Sequence, residues 1–566
     1  MPKETLQHKL ERERRPRVHL TYDLEVGDAI ELKQIPFVLG VLSDLSGTAS
    51  QSLPKFIDRQ FIDIDWDNFD DVVARLEPHL EFDVKDLIIG GDATLAVQLR
   101  FRRMRDFEPM QVIQQLKELA ALLDTREQLT GCSTNVDEKA RKVSDIDHLL
   151  SRQLNLIMHA PEFQKLEASW RGLHYLVSQT ETSEALEIRV LNASKEDLIR
   201  DLEKAPEFDQ SAFFRKVYEE RYGTFGAEPF GAFIGDYEFS HHPQDVALLE
   251  KIAEIAAAAH APFIAAASPQ FFNSNSFSEL AVPHDLAKIF NSVEYAKWRS
   301  FRESEDSRYV GLTVPRILLR LPYSQRPTPE SMFQFTESID QSGHSLLWGN
   351  SAYAFGACLT NAFAKYNWCA RIRGVEGGGQ VKGLPTWTLK TDEGEVAFKC
   401  PVEIVITDRR EKELADLGFI TLVVAEMADF AAFFSIPSCH KPKVYDSDSA
   451  TAHSRLASQL QCVLTTSRFA HYIKAISRDR IGSYITRADY ERFLNQWIER
   501  YVNLDDETSP MVKAKFPLRE ARIDVSEVPG KPGAYRAVMF LRPHFQLDEL
   551  SVSLRLVTEL PSPVRP

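Results

Sequence analysis

The run Ile35-Pro36-Phe37-Val38-Leu39-Gly40-Val41-Leu42 decides how this chain folds. It is apolar without a break, and such a run reads as a β-strand buried on both faces. Upstream the pattern changes. Val18, Leu20, Tyr22, Leu24 and Val26 alternate with Arg17, His19, Thr21, Asp23 and Glu25. A period of two puts the apolar set on one face of a sheet. Gly27-Asp28 supplies a turn before Ile30-Glu31-Leu32, as in a hairpin. Residues 1–15 form a charged leader without an apolar core, so they do not read as a secretory signal.

Downstream, Leu53-Pro54 and Asp58-Arg59 lead into a strand at Phe61–Ile64, and Asp67-Asn68 predicts a cap for a helix starting near Phe69. Leu95, Val97, Leu99 and Phe101 alternate as a further strand. A helix is expected from about Pro109 to Gln128, striped by Val112, Ile113, Leu116, Leu119, Ala120 and Leu123. The short polar segment Thr130–Asn135 is the best internal boundary. Ser144-x-x-Asp147 resembles a capping box for the next helix, whose stripe is Ile146, Leu149, Leu150, Leu154, Ile157 and Met158. Helices and strands then alternate to about Tyr501. Strands are predicted at Leu186–Leu191, Phe230–Ile234, Pro262–Ala266, Ile317–Leu321 and Val402–Ile406. Helices are predicted near Val246–Ala259, Ala352–Tyr366 and Ala452–Ile476. The chain ends in strands, Tyr535–Leu541 and then Val552, Leu554 and Leu556 alternating with Ser553 and Arg555.

At 566 residues the chain has room for about three or four domains. Hydrophobic residues at 44% and charged ones at 26% exclude wholesale disorder and a small disulfide scaffold. A net charge of −15 argues against a nucleic-acid partner, which needs a basic face. The longest apolar stretch, Phe419–Ile436, carries Glu426 and Asp429 near its middle and so reads as a buried helix or strand pair, not a membrane span. Cys132, Cys358, Cys369, Cys400, Cys439 and Cys462 are scattered without a close pair, which speaks against structural zinc and a disulfide framework. A cytoplasmic location is expected.

No catalytic constellation emerges. Gly374 and Gly379 have phosphate-loop spacing, but Gln380-Val381 occupies the lysine–hydroxyl positions. A flexible or tightly turned loop is the expectation there. Adjacent His241 and His242 diverge on any regular backbone and cannot easily share a metal. His260 is expected to end a helix, and Glu303, Glu305 and Asp306 to balance Arg302 and Arg308 in salt bridges. Neither an enzymatic activity nor a cofactor nor a metal is expected.

Two sets of segments resemble a known family. RVHLTYDLEVGDAIELKQIPFVLGVLSDLSG, LPKFIDRQFIDIDWDNFDDV and MRDFEPMQVIQQLKELAALLDTREQL are similar to the small subunit (VipA or TssB) of the type VI secretion contractile sheath. FQKLEASWRGLHYLV, EPFGAFIGDYEF, WRSFRESEDSRYVGLTVPR, RIRGVEGGGQVKGLP, FAHYIKAISRDRIGS and LRPHFQLDELSVSLRLVTELP are similar to the large subunit (VipB or TssC). The resemblance divides the chain into the leader 1–15, a small-subunit region 16–130, a junction 131–136 and a large-subunit region 137–566. It implies a mixed α/β (α+β) fold with intertwined domains, mixed sheets, flanking helices and terminal strands exchanged between protomers. The function implied is a structural subunit that polymerises helically around an inner Hcp tube on a membrane-anchored baseplate and contracts, without inserting in the membrane itself. Strand exchange is carried over to Val18, Leu20 and Tyr22 at one end and Val552, Leu554 and Leu556 at the other. The helical leader of the large subunit, which carries the segment engaged by the disassembly ATPase ClpV, is replaced by the short junction, so that partner is doubtful. The alternative is an α/β enzyme binding a small anionic ligand at the Gly374–Gly383 loop.

Overall fold

The computed structural model describes residues 35–48, 53–90, 92–130, 136–222, 228–281, 285–323, 333–340, 343, 345–390, 397–424, 430–479, 487–505, 507–527, 535–544 and 554–559. In chain order the strands begin with β1 (Phe37–Ser43), β2 (Ile62–Ile64), β3 (His79–Lys85), β4 (Thr94–Arg100), β5 (Leu186–Asn192) and β6 (Phe230–Phe239). They continue with β7 (Phe263–Ala267), β8 (Val310–Val314), β9 (Ile317–Leu318), β10 (Trp348–Gly349), β11 (Gln380–Val381) and β12 (Trp387–Lys390). Last come β13 (Ala397–Cys400), β14 (Phe419–Val424), β15 (Ala431–Phe433), β16 (Leu518–Glu527), β17 (Tyr535–Pro543) and β18 (Leu554–Glu559). The helices used below are α1 (Phe69–Leu76), α2 (Pro109–Gln115), α3 (Lys117–Thr130), α4 (Val136–Met158) and α5 (Pro161–Ser178). They are followed by α6 (Pro243–Ala259), α7 (Ala352–Tyr366), α8 (Leu460–Asp479) and α9 (Arg487–Glu499).

β1 is buried at every residue and lies inside a nine-stranded sheet of order β11-β15-β14-β8-β7-β6-β1-β5-β2. It runs parallel to β5 on one side and to β6 on the other, with Val41 opposite both Val190 and Ile234. The parallel run continues through β7, β8 and β14, and antiparallel β2 and β15 flank it. Alternation along β1 sends Phe37, Leu39 and Val41 into one core with residues of α5 and α7, and Val38 and Leu42 into another with residues of α6. Helices on both faces explain why the strand is apolar throughout. Gly40 is required by packing: a Cβ there would stand 2.5 Å from the Phe233 ring. The small-subunit-like region thus supplies an interior strand, β1, and the edge strand β2 of a sheet otherwise built by the rest of the chain.

Several local expectations are corrected. The helix expected over 109–128 is two, α2 and α3, broken at Leu116, whose backbone is extended (φ −104°, ψ 114°) while its side chain stays in the core stripe. Ser144-x-x-Asp147 caps nothing, because it lies inside α4; Asp147 instead holds Arg126 of α3 at 2.6 Å. Helix α1 starts at Phe69 as expected, yet Asn68 makes no cap bond, and Asp65 accepts the amides of Asp67 and Asn68. Val402 makes only an isolated bridge to Ile317, and the helix expected over 452–476 is interrupted at Ser458. Phe419–Ile436 contains the antiparallel pair β14–β15, while Glu426 and Asp429 lie outside the described residues. The hairpin expected at 17–32 lies outside them as well.

Two polar assemblies hold the large pieces together. Buried Arg320 binds Glu167 of α5 (2.8 Å) and Glu337 (2.6 Å), and Glu337 also meets His159 at 3.1 Å. Burial alone would raise the Glu337 carboxyl, but hydrogen bonds from His159 and Arg320 and the Arg320 charge hold it at about 2. At the C-terminus of α6, which ends in left-handed His260 as expected, His471 Nε2 donates to Ala259 O (3.0 Å) and Lys474 Nζ to Ala258 O (3.2 Å). Cations and donors are favoured there by the helix dipole. Also on α8, Arg468 donates to the carbonyls of Ile35 and Pro36, just ahead of β1.

Two measurements follow from this packing. Gly40→Val forces a branched side chain against Phe233, and overpacking of this kind costs about 1–3 kcal/mol; a denaturation midpoint equal to the parent's would contradict the interlock. Burial, aided by Arg468, pushes the His471 imidazole down to about 3. Unfolded histidine binds a proton near 6.5, so over that interval acid favours the unfolded chain and stability falls as pH drops. The depressed Glu337 adds the same sign of loss between its ordinary 4.5 and about 2. His471→Gln should flatten the pH dependence of unfolding free energy between pH 6 and 4 by about 1.4 kcal/mol per pH unit. Equal slopes for mutant and parent would refute this.

Candidate functional site

In an open parallel sheet, ligands enter beyond the C-terminal ends of the strands where the strand order reverses. Here that place lies between β1 and β6. Ser43 Oγ donates to Asp236 at 2.8 Å, and Trp170 Nε1 donates to Leu45 O at 3.1 Å. Asn192 Oδ1 accepts from Leu45 N at 3.0 Å, and Tyr237 OH donates to Ala193 O at 2.7 Å. Burial raises the Asp236 carboxyl, with hydrogen bonds from Ser169 and Ser43 pulling the other way. These groups bind one another across the crevice and so lock strands and helices together.

The glycine loop has the same character. Gly374 N donates to Phe433 O (2.7 Å) and Gly379 N to Gly374 O (2.9 Å), so two amides that a phosphate cradle would present are already used. Gly378 has φ +90°, and a Cβ on it would lie 2.4 Å from Arg371 O. The loop is a tight turn packed on its neighbours. His241 stacks on Tyr295 at 4.6 Å, while His242 caps α6 by accepting from Gln244 N. Glu305 pairs with Arg308 (2.8 Å) and Lys443 (3.0 Å), but Arg302 binds backbone carbonyls of Cys439 and Asp416. The five described cysteines are buried and free, with burial pushing Cys358, Cys369 and Cys439 up to about 12. Among the described residues no group of three or more His, Cys, Asp or Glu is placed to hold a metal, and no helix is long and apolar enough to cross a membrane.

The C-terminal module is built differently. Its sheet has the order β16-β17-β18, all antiparallel. Ile523, Val525, Ala537, Met539 and Leu541 form its buried face, beneath Tyr490, Leu494 and Trp497 of α9. Trp368, which follows α7, stacks on Phe469 at 4.5 Å and meets Tyr501 at 5.3 Å. Ile35 belongs to the same apolar cluster, so the chain arrives at β1 from the side of this module. Of the residues assigned to strand exchange, Val18, Leu20, Tyr22 and Val552 lie outside the described residues. Leu554 and Leu556 fall in β18, opposite Leu541 and Met539 of β17 in the same chain.

Sequence reasoning missed how the other edge of this sheet is finished. Asn495 of α9 accepts from Ile523 N (2.9 Å) and donates to Ile523 O (2.7 Å), and Glu491 accepts from Val525 N (3.1 Å). Leu518 N donates to Tyr501 O (3.2 Å), while Leu518 O accepts from Asn503 N (2.8 Å). The available signal was the spacing: Glu491 and Asn495, four apart, share a helical face beside buried Leu494 and Ile498.

Comparison with known proteins gives these features a context. Residues 140–440 match the family model described as EvpB/VC_A0108, tail sheath N-terminal domain, and residues 449–560 match its tail sheath gpW/gp25-like domain. Residues 10–163 match the model described as type VI secretion system, VipA, VC_A0107 or Hcp2. Both subunit models thus claim residues 140–163, most of which lie in α4. The type VI secretion system sheath protein TssC1 of Pseudomonas aeruginosa is 52% identical over 424 residues, 74% of this chain and 85% of TssC1. Sheath protein TssB1 of the same organism is 37% identical over 128 residues, 23% of this chain and 74% of TssB1. A chain in the cryo-EM structure of the anti-feeding prophage baseplate aligns with 70% of this chain and 78% of its own length, at TM-score 0.33 and 10% identity, too loosely to carry an argument. With over half its length matched by the large-subunit model and its first part by the small-subunit one, the chain belongs to the type VI secretion tail-sheath family, with VipA-like and VipB-like portions in one polypeptide.

Proposed function

We propose that this sheath chain polymerises around an inner tube of Hcp hexamers on a membrane-anchored baseplate, in the cytoplasm, and that neighbouring copies are joined by exchange of their terminal strands. The work of contraction comes from contacts between copies, so no catalytic residue is assigned. One observation carries the reading: the first and the last described segments of the chain meet at one module. Ile35 packs in the cluster of β16 and β17, and β18 lies on the outside of the same sheet. Residues 27–34, between the strand expected at 17–26 and Ile35, span up to about 30 Å when extended. That reach is long enough for Val18, Leu20 and Tyr22 to pair outside their own chain, which supports exchange with a neighbouring copy.

The division into residues 16–130 and 137–566 marks origin, and the two parts fold as one body around β1. Helices α3 and α4 fold back on each other across the short junction, held by Arg126 and Asp147. The short junction stands where the large subunit's leader would begin, and ClpV is accordingly not proposed as a partner.

The test is Leu20→Pro. Proline removes a ladder donor in the arm strand, where each backbone hydrogen bond contributes a net 0.5–1.5 kcal/mol or so. The variant should lose the ability to form tubes in negative stain while its thermal unfolding as a protomer stays nearly unchanged. Normal tubes, or an unfolded protomer, would defeat strand exchange by this segment.

A further inference from the structure

A three-stranded sheet ordinarily has two edges, each a row of unpaired amides and carbonyls that can recruit another strand. In this module they are unequal. The outward positions of β16 follow a period of two, and Ile523 and Val525 are both on that side. Asn495 satisfies Ile523 twice, its carboxamide supplying the same donor and acceptor that a neighbouring peptide group would. Glu491 takes the next outward amide, Val525 N, and the Tyr501–Asn503 backbone takes both groups of Leu518. These contacts fall at Leu518, Ile523 and Val525, spread over about 23 Å of strand. They are also firmly mounted. Leu494, Trp497 and Ile498 of α9 are buried, so an incoming strand would have to lift the helix to reach β16.

We infer that Asn495 and Glu491 are a stop on strand addition, confining growth of the sheet between copies of this chain to the β18 side. This rests on the reading that copies join through this sheet, and adds a direction to it. A sheet open at both edges could recruit arms on either side and branch; one closed edge leaves a single successor. The partner at the open edge is the 17–26 segment of a second copy, and the β16 edge accepts none.

The experiment compares full-length chains by negative stain and sedimentation. Asn495→Ala/Glu491→Ala should convert uniform tubes into branched or laterally fused assemblies. On the Leu20→Pro background, where the arm can no longer pair, the same pair should leave the sedimenting fraction at the level of Leu20→Pro alone, because the arm is what an opened β16 edge would take. Adding Ala521→Pro, which removes an outward amide of β16 without touching the ladder to β17, should restore uniform tubes. A purely structural role for the pair would not be rescued in this way. Should circular dichroism show that the alanine pair unfolds, Asn495→Leu/Glu491→Met keeps the bulk on α9 without the acceptors and is read in its place. A well-folded double variant whose tubes remain as uniform as the parent's overturns the inference, and so does a rise in sedimentation on the Leu20→Pro background. Polymerisation of Leu20→Pro alone counts instead against strand exchange by the arm, and leaves the comparison between each double variant and its own parent to judge the stop.

Discussion

The pairing of β1 with β5 and β6 is the constraint on which the rest of the molecule depends. A strand from the first tenth of the chain sits between strands that follow it by more than a hundred residues, and both of its ladders are parallel. Neither neighbour can substitute for it. Without β1, β5 and β6 would present two bare parallel edges inside an apolar sandwich, and buried unpaired backbone groups are costly. The core residues on the α5–α7 face and those on the α6 face would lose their common partner together. This makes the two subunit-like portions one folding problem, and having them in one polypeptide fixes their ratio at one to one.

Much of this was readable in the residues. Phe37–Leu42 announced a doubly buried strand because its apolar pattern has no period, and Leu95, Val97, Leu99 and Phe101 announced a half-buried one because theirs does. Both signals are local. What escaped is what depends on the third dimension. Leu116 keeps its place in the stripe while its backbone leaves the helix, since tertiary packing fixes the side chain and tolerates the break. Ser144 and Asp147 have the right chemistry for a cap, but Val136–Val143 carry the helix past them and Arg126 claims the carboxylate. Val402–Ile406 is apolar enough for a strand yet finds only one bridging partner.

The C-terminal sheet was legible only in outline. Alternation at Leu554 and Leu556 gave a terminal strand, but alternation cannot say which edge of which sheet it joins. Asn495 and Glu491 read as ordinary polar positions on an amphipathic helix. Their significance appears only when β16 is laid beside them, because a carboxamide imitates a peptide group only at the right distance and angle. Polar chemistry elsewhere turned inward. Asp236, the glycine loop and the Arg320 network each resemble a site in composition, and each uses its donors and acceptors to bind parts of the same chain.

The contact of Arg468 with the carbonyls of Ile35 and Pro36 has a mechanical consequence. It anchors the chain at Ile35 and Pro36, immediately ahead of β1. Tension applied through residues 1–34 therefore reaches the sheet at the first residue of a strand and acts along its length. The ladders on both sides are loaded in shear, so the seven residues of β1 must slip together, not peel away one by one. Arg468 also shares that pull with α8 and, through it, with the C-terminal module. A tensile link of this geometry yields late and all at once.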